Sequence, residues 1–448
     1  MSGHPIDSTL SLLAHGYAWA PDLRRAHDGA PVVRTRLMGR PAVLLHGQEA
    51  VALFYDERRV RRDGALPTPV LDTLFGRGAV HTLDGAHHRR RKQLLVSLLM
   101  SPQGVSGLSA RVRSAWDEAV AGWEGREVVL FDEVAALLAG AVCDWVGVPV
   151  PDEAAREIAE DCVAMVDGFA AAGPRHLRAV GARRRQEQGL MDAVAVARIR
   201  AHTDAGAPTD AEAGAGTDRE AGADAQLPAS GTALETVALH HREPDGSLLD
   251  QHTAAVELLN IIRPTVAVAW FVTFAAHALH RHPGRRDQLR AGGTARARAF
   301  AHEVRRFYPF VPFIAGLAAE DLTYAGDHVP AGTLLLLDVY GHHHDPTLWA
   351  RPYHFDPERF LGREPGPGEL IPQGGGDALT GHRCPGEDIT LSLLTFFSSA
   401  LARMDLAVPQ QDLSIPLSRI PTRPRSGFVI EIGHQSRSHH ASRVQSQA

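Results

Sequence analysis

Cysteine is scarce in this chain. Three occur in 448 residues, Cys143, Cys162 and Cys384, odd in number and far apart, so a disulfide framework is excluded and a reducing cytosol fits. Cys143 and Cys162 sit in apolar helical runs, where a thiol packs as a small hydrophobe. Excess positive charge is missing as well. The formal net charge is −6 and the isoelectric point about 6.5, which argues against nucleic acid or another phosphate-rich partner. No apolar stretch near the N-terminus is long enough to span a bilayer, because the run from Thr9 to Ala20 is broken by His15 and Gly16. A cytoplasmic protein without a membrane span is expected. No internal repeat is apparent, and no break in composition divides the chain, so one large unit over 1–434 is expected although the length allows about three domains. Large apolar side chains are nearly absent from 202–230, HTDAGAPTDAEAGAGTDREAGADAQLPAS. Burial there cannot offset the entropy of ordering, and a flexible insertion is expected, with a loose tail over 435–448.

The remainder is rich in helical patterning. Apolar spacing of three and four marks helices over 110–123, 134–146, 153–169 and 180–201, while 43–55 and 94–101 fit either helix or short strand. Extended pieces are read at 32–36, 42–45, 334–337 and 428–432. The fold class is therefore mainly α with a small β sheet.

One cysteine has an informative setting. From Ile371 to Glu387 the chain reads IPQGGGDALTGHRCPGE, a glycine-rich loop that delivers Cys384 to a helix start. A thiolate is a strong, charge-donating ligand for haem iron, and small residues let a backbone approach a flat macrocycle with its amides facing the sulfur. Taken alone, the segment is equally compatible with a glycine-rich turn and an inert cysteine. Upstream, Glu303 and Arg306 stand in an E-x-x-R spacing that puts both on one helix face, and FDPERF, Phe355 to Phe360, adds Arg359. Glu303, Arg306 and Arg359 can close a buried, fork-like ion network. The order of E-x-x-R, PERF and a glycine-rich cysteine loop resembles the cytochrome P-450 superfamily. That resemblance implies the cytochrome P-450 fold as a single large haem-thiolate domain, haem b as cofactor, Cys384 as the proximal iron ligand, and a structural role for Glu303, Arg306 and Arg359.

A long segment over 250–281, DQHTAAVELLNIIRPTVAVAWFVTFAAHALHR, is apolar nearly all round, as expected of a central buried helix about 45 Å long. Arg263 and Pro264 stand at its middle. The proline lacks a backbone donor and frees the carbonyl of Asn260, so a kink beside Arg263 is expected. An arginine there keeps its charge and must face an anion or water. Two partners are open: Glu257, six positions away and so badly placed for a pair, or a carboxylate brought by a substrate. Most cytochromes P-450 carry an acid and a threonine at this place. Arg263-Pro264 resembles instead the bacterial fatty-acid peroxygenases, a branch that includes peroxide-driven hydroxylases and alkene-forming decarboxylases. The likeness extends to TLFGRGAVHTLDG (73–85), MVDGFAAAGPRH (165–176), SGTALETVALH (230–240), EVRRFYPFVPF (303–313) and LLLLDVYGHHHDP (334–346).

The branch resemblance implies a fatty acid and hydrogen peroxide as reactants, no required redox partner, and Arg263, Pro264 and His81 as the catalytic set. The carboxylate held by Arg263 stands in for the missing acid, taking a proton from peroxide and returning it to the leaving oxygen. Products are then α- or β-hydroxy acids or terminal alkenes, with His81 tilting the outcome toward α-hydroxylation and alkene. By the same resemblance Leu74, Phe75, Val166, Phe169, Ala267, Phe310 and Phe313 line the alkyl channel, although each also suits ordinary core packing. Arg62, His88, Lys92 and His382 are the candidates for the haem propionates, and Arg89 to Arg91 the candidates for a solvated face. Among twenty-five histidines, the tract His342-His343-His344 has the look of a metal site but is read as a turn. A reductase-dependent monooxygenase and a non-catalytic haem-thiolate binder remain as other functions of the same motifs.

Overall fold

The computed structural model describes residues 6–206 and 231–433. Of the expected insertion, 202–206 continue the helix Pro174–Gly206, whereas 207–230 and the tail 435–448 lie outside the described residues.

A five-stranded sheet runs from edge to edge through Val32–Leu37, Arg40–Leu45, Leu334–Asp338, Phe313–Ala318 and Val60–Arg61. Only the pairing of Arg40–Leu45 with Leu334–Asp338 is parallel. Leu334–Asp338 is buried along its whole length, which is why it reads as an unbroken apolar run and not as an alternation. The strand Phe313–Ala318 was not anticipated, since FIAGLA carries no period-two pattern. A second sheet joins Glu127–Val129, Val429–Ile432 and Leu406–Ala407. The ambiguous stretch 43–55 divides into the end of Arg40–Leu45 and a helix, Gln48–Phe54. That over 94–101 is the second half of the helix Gly85–Leu99.

Helix ends follow local chemistry. Ser101 caps Pro102–Trp123 by accepting the Gly104 N–H at 3.0 Å, with proline at the first helical position. Asp250 caps the central helix through the Thr253 N–H at 3.0 Å. That helix is apolar enough to cross a membrane by composition, but 94% of its most apolar window is buried inside the protein. Leu130–Val146, Asp152–Gly168 and Pro174–Gly206 pack on its first half, and Leu130–Val146 and Glu387–Arg403 on its second. Trp270 meets Phe131 edge-on at 4.6 Å and Phe274 stacks on Tyr308 at 4.7 Å.

The proline acts one turn later than expected. Gln251–Val266 remains helical through Pro264, and the interruption falls at Ala267, before Val268–Arg281. Ala267 N–H still reaches Arg263 O at 3.0 Å, while Trp270 N–H reaches only three residues back, to Ala267 O at 3.2 Å. The register change is taken up as a tightened turn at a small residue.

The histidine tract, expected as a turn, is mostly helical, and only His344 stands in a turn. His342 and His343 close a short helix, Val339–His343, capped by Asp338 through the Gly341 N–H at 2.8 Å. Any Cβ at Gly341 would lie 1.9 Å from the Asp338 carboxylate. Each ring serves the backbone: His342 Nε2 donates to Gly368 O at 2.9 Å, His344 Nδ1 to Tyr340 O at 2.9 Å, and His343 Nε2 accepts the Ile371 N–H at 3.0 Å.

Buried histidines make the fold sensitive to acid. Burial holds His343 well below its ordinary pKa, and His241, His302 and His344 at about 4. Their pKa values are depressed in the folded state, so the unfolded chain binds more protons between pH 6.5 and 4. Stability is complete above about pH 6.5 and is lost as pH falls, by up to about 1.4 kcal/mol per histidine per pH unit. We expect the urea midpoint to drop clearly between pH 7.5 and 5. An unchanged midpoint contradicts the neutral, buried assignment.

Candidate active site

Cys384 stands three residues ahead of the helix Glu387–Arg403. Its backbone N–H donates to Gln373 O at 3.0 Å. Burial, with Glu387, raises the thiol's pKa, and the Gly386 N–H, Lys92 and Arg305 act against that rise. Around it, Arg305 pairs with Glu387 and donates to Gln373 Oε1 at 2.7 Å, while Arg383 reaches Glu387 at 2.7 Å. This brace was not foreseen, although Arg305 sits inside the E-x-x-R segment. The loop glycines also serve a packing contact that was not expected. A Cβ at Gly374 would lie 2.6 Å from the Tyr55 hydroxyl, one at Gly375 2.6 Å from Val51, and one at Gly376 2.8 Å from Tyr55. Their small size seats the loop on the end of the helix Gln48–Phe54, with Gly374 and Gly376 also at positive φ.

Glu303 and Arg306, both fully buried, form a two-bond fork at 2.8 and 2.7 Å. Arg306 also donates to His343 O at 2.7 Å and Pro352 O at 2.9 Å, and Glu303 accepts the Asp356 N–H at 2.7 Å. Arg359 stands further out, 3.6 Å from Glu303, and donates to Arg351 O at 3.0 Å. The three residues tie the helix Gly293–Phe307 to the segment leading into the cysteine loop.

On the central helix, Arg263 is 6% exposed. Among the described residues its one side-chain hydrogen bond is a long one, 3.5 Å to Asn260 Oδ1, and its Nε has no partner. Glu257 is taken by another cation. Arg91 donates to it at 2.8 Å and also pairs with Glu243, so the intrahelical Arg263–Glu257 pair is absent. Arg91 therefore does not belong to a solvated face: it is 5% exposed, on the inner side of its helix with His88 and Lys92. Burial and the nearby Arg183 push the pKa of Arg263 down to about 9, still high enough to keep the cation at neutral pH. The guanidinium lies 5.9 Å from the Phe75 ring, and Phe75 in turn lies 4.6 Å from the His81 ring. His81 Nδ1 is buried without a partner. Burial, and then the charges of Arg263, His382 and Lys92, lower its pKa to about 3, so the imidazole is neutral.

Arg62, His88, Lys92 and His382 come together beyond His81. The rings of His88 and His382 stack at 3.8 Å, His382 lies 3.6 Å from Asp84, and Asp84 accepts the Arg62 N–H at 3.0 Å. Lys92 Nζ donates to Arg383 O. Lys92 is 2% exposed, and burial lowers its pKa to about 8. Leu74, Val166, Ala267 and Phe310 share one apolar cluster, in which Phe310 meets Phe271 at 4.7 Å. Phe169 caps the helix Asp152–Gly168. Phe313 departs from this group. It is turned by its strand toward Trp19, at 5.8 Å, in the cluster under the five-stranded sheet.

Comparison with known proteins bears on the family. The cytochrome P450 family model matches residues 297–429. A structure of cytochrome P450SP alpha (CYP152B1) in complex with (R)-ibuprofen is 40% identical, with a TM-score of 0.84 over 95% of this chain and 98% of that one. Cytochrome P450EX alpha (CYP152N1) with myristic acid is 34% identical, with a TM-score of 0.84 over 96% and 99%.

The chain belongs to the cytochrome P450 family, in its CYP152 branch.

Curated relatives match over shorter stretches. (S)-N-methylcanadine 1-hydroxylase of Papaver somniferum is 35% identical over 29% of this chain, which spans 23% of that relative's length. The cofactor of a cytochrome P450 is haem iron, and the residues present fit it. Arg62 NH1, His81 Nδ1, His88 Nδ1 and His382 Nε2 are all buried without a hydrogen-bond partner among the described residues. Such atoms are rare unless a bound group serves them. Arg62, His88, Lys92 and His382 suit the two acidic arms of the macrocycle, and Cys384 suits its iron. In this cytochrome P450, sequence reasoning missed Arg183, which donates to Leu74 O at 2.8 Å and Phe75 O at 3.0 Å, and Asn260, which donates to Phe75 O at 3.0 Å. Gly76, at φ +87°, was the available signal, since a Cβ there would lie 2.2 Å from Arg183.

Proposed function

We propose that this cytochrome P450 is a peroxygenase that uses hydrogen peroxide to oxidise fatty acids beside their carboxylate, giving α- or β-hydroxy acids or terminal alkenes, with no redox partner. The observation that carries this reading is Arg263, buried and charged with no carboxylate beside it. A cation so placed is costly until an anion reaches it. Carboxylic acids occupy both structural relatives named above, which supports a carboxylate as that anion.

When bound, haem ligated by the Cys384 thiolate supplies the oxidising equivalent from peroxide. The protein's own contribution is placement and proton handling. Paired N–H groups of Arg263 hold the carboxylate and so fix the α and β carbons. Pro264 and the tightened turn at Ala267 shape the helix beside it. Because no acid and hydroxyl pair stands at this place, the held carboxylate takes the proton from peroxide and returns it to the leaving oxygen. Leu74, Phe75, Val166, Phe169, Ala267 and Phe310 supply apolar walls for the alkyl chain. Phe75 and the neutral His81 ring stand between Arg263 and the cationic cluster.

Purified enzyme given hydrogen peroxide and a long-chain fatty acid, without reductase, tests the proposal. Turnover is expected, and turnover only with a reductant and its partner protein supports the monooxygenase reading instead. Gas chromatography of the products is expected to show α-hydroxy acid and alkene above β-hydroxy acid. His81→Gln is expected to shift that ratio toward the β product by roughly threefold or more, about 0.7 kcal/mol between competing barriers. A ratio unchanged by His81→Gln removes the residue from product choice.

A further inference from the structure

His81 is held through its backbone. Its Nδ1 has no partner among the described residues and its ring touches Phe75, so the path of residues 76–81 decides where the imidazole sits. That path contains Gly76 and Gly78, both at positive φ, and glycines leave a segment free to move unless something pins it.

The pins come from the central helix. Glu257, Asn260 and Arg263 follow one another at steps of three, along one ridge. Glu257 Oε1 accepts the Val80 N–H at 2.8 Å, one residue before His81, and accepts Arg91 at 2.8 Å. Arg91 donates from the same guanidinium to Gly78 O at 3.1 Å. Asn260 fixes Phe75 O from the next turn of the ridge. Glu257 is fully buried and Arg91 5% exposed. A buried ion pair of this kind adds little net stability, and its best attested use is to fix one arrangement.

We propose that Glu257, together with Arg91, is a positioning residue for His81 and thereby sets the site of oxidation on the substrate. Glu257 acts on the segment, not on the substrate. The effect on product choice rests on the peroxygenase reading, whereas the effect on the segment does not.

Glu257→Leu and Glu257→Gln holoenzymes test this in two ways. Hydrogen exchange of the peptide covering 76–83, without substrate, is expected to quicken roughly tenfold in Glu257→Leu and about threefold in Glu257→Gln, where a neutral acceptor replaces a charged one. The ratio of α-hydroxy acid plus alkene to β-hydroxy acid is expected to change about threefold or more in the wild-type background, and not at all in a His81→Ala background. Wild-type exchange over 76–83 in both variants overturns the proposal, as does the same ratio change with and without His81. If Glu257→Leu does not take up haem, Glu257→Gln decides through the same two readouts. A wild-type enzyme that makes no product from peroxide and fatty acid defeats the peroxygenase reading, and the exchange measurement then still decides whether Glu257 holds the segment.

Discussion

Arg263→Ala is expected to retain haem and the thiolate spectrum but to lose the proposed peroxide-driven oxidation of fatty acids by about 10³-fold or more in kcat/KM. Two effects leave together. The first is the charge-assisted clamp in a dry site, whose removal costs on the order of 3–5 kcal/mol. The second is the carboxylate that moves the proton, since an unanchored chain no longer presents it over the reacting centre. Steady-state rates with hydrogen peroxide check this. Because Arg263 has no partner carboxylate among the described residues, its removal leaves no buried anion there uncompensated. The variant is expected to unfold in urea at or above the wild-type midpoint. Wild-type turnover by Arg263→Ala rejects the mechanism.

Cys384→Ala is expected to abolish the ferrous carbon monoxide band that marks thiolate ligation, with most of the helical content retained. The other two thiols cannot replace it. Cys143 is 2% exposed with its pKa pushed up to about 12, and Cys162 is fully buried with its pKa raised further by burial. Both are inert on that account. Cys384 is only partly buried; burial and Glu387 raise its pKa too, but unlike the other two it has the Gly386 N–H, Lys92 and Arg305 acting against that rise. Survival of the band in Cys384→Ala contradicts this assignment.

The two residues these predictions use were legible because each is improbable in its setting. A cysteine after a glycine-rich loop and an arginine inside an apolar helix both demand a partner, and the demand is visible without coordinates. Glu303, Arg306 and Arg359 were legible by spacing and order. What escaped was the identity of partners far apart in the chain. Arg91 and Glu257 are 166 positions apart, so periodicity reveals that each faces inward and not that they face each other. Reading Arg91 with its exposed neighbour Arg89 made a buried, doubly paired cation look like part of a solvated face. Phe313 was misplaced for a related reason. The run EVRRFYPFVPF leaves its helix after Phe307 and enters a strand at Phe313, and that change of direction turns the side chain toward Trp19. The close approach of the cysteine-loop glycines to Tyr55 and Val51 was not foreseen, because those partners lie more than 300 positions away in the chain.

Arg263 is a buried cation, and the proposed mechanism has it take up the substrate's carboxylate. Spectral titration of the ferric enzyme with a fatty acid and with its methyl ester, equal in chain length, tests it without any turnover. The acid is expected to bind about 100-fold more tightly than the ester, and Arg263→Ala to erase that difference. Equal affinities of acid and ester for the wild-type enzyme contradict the account.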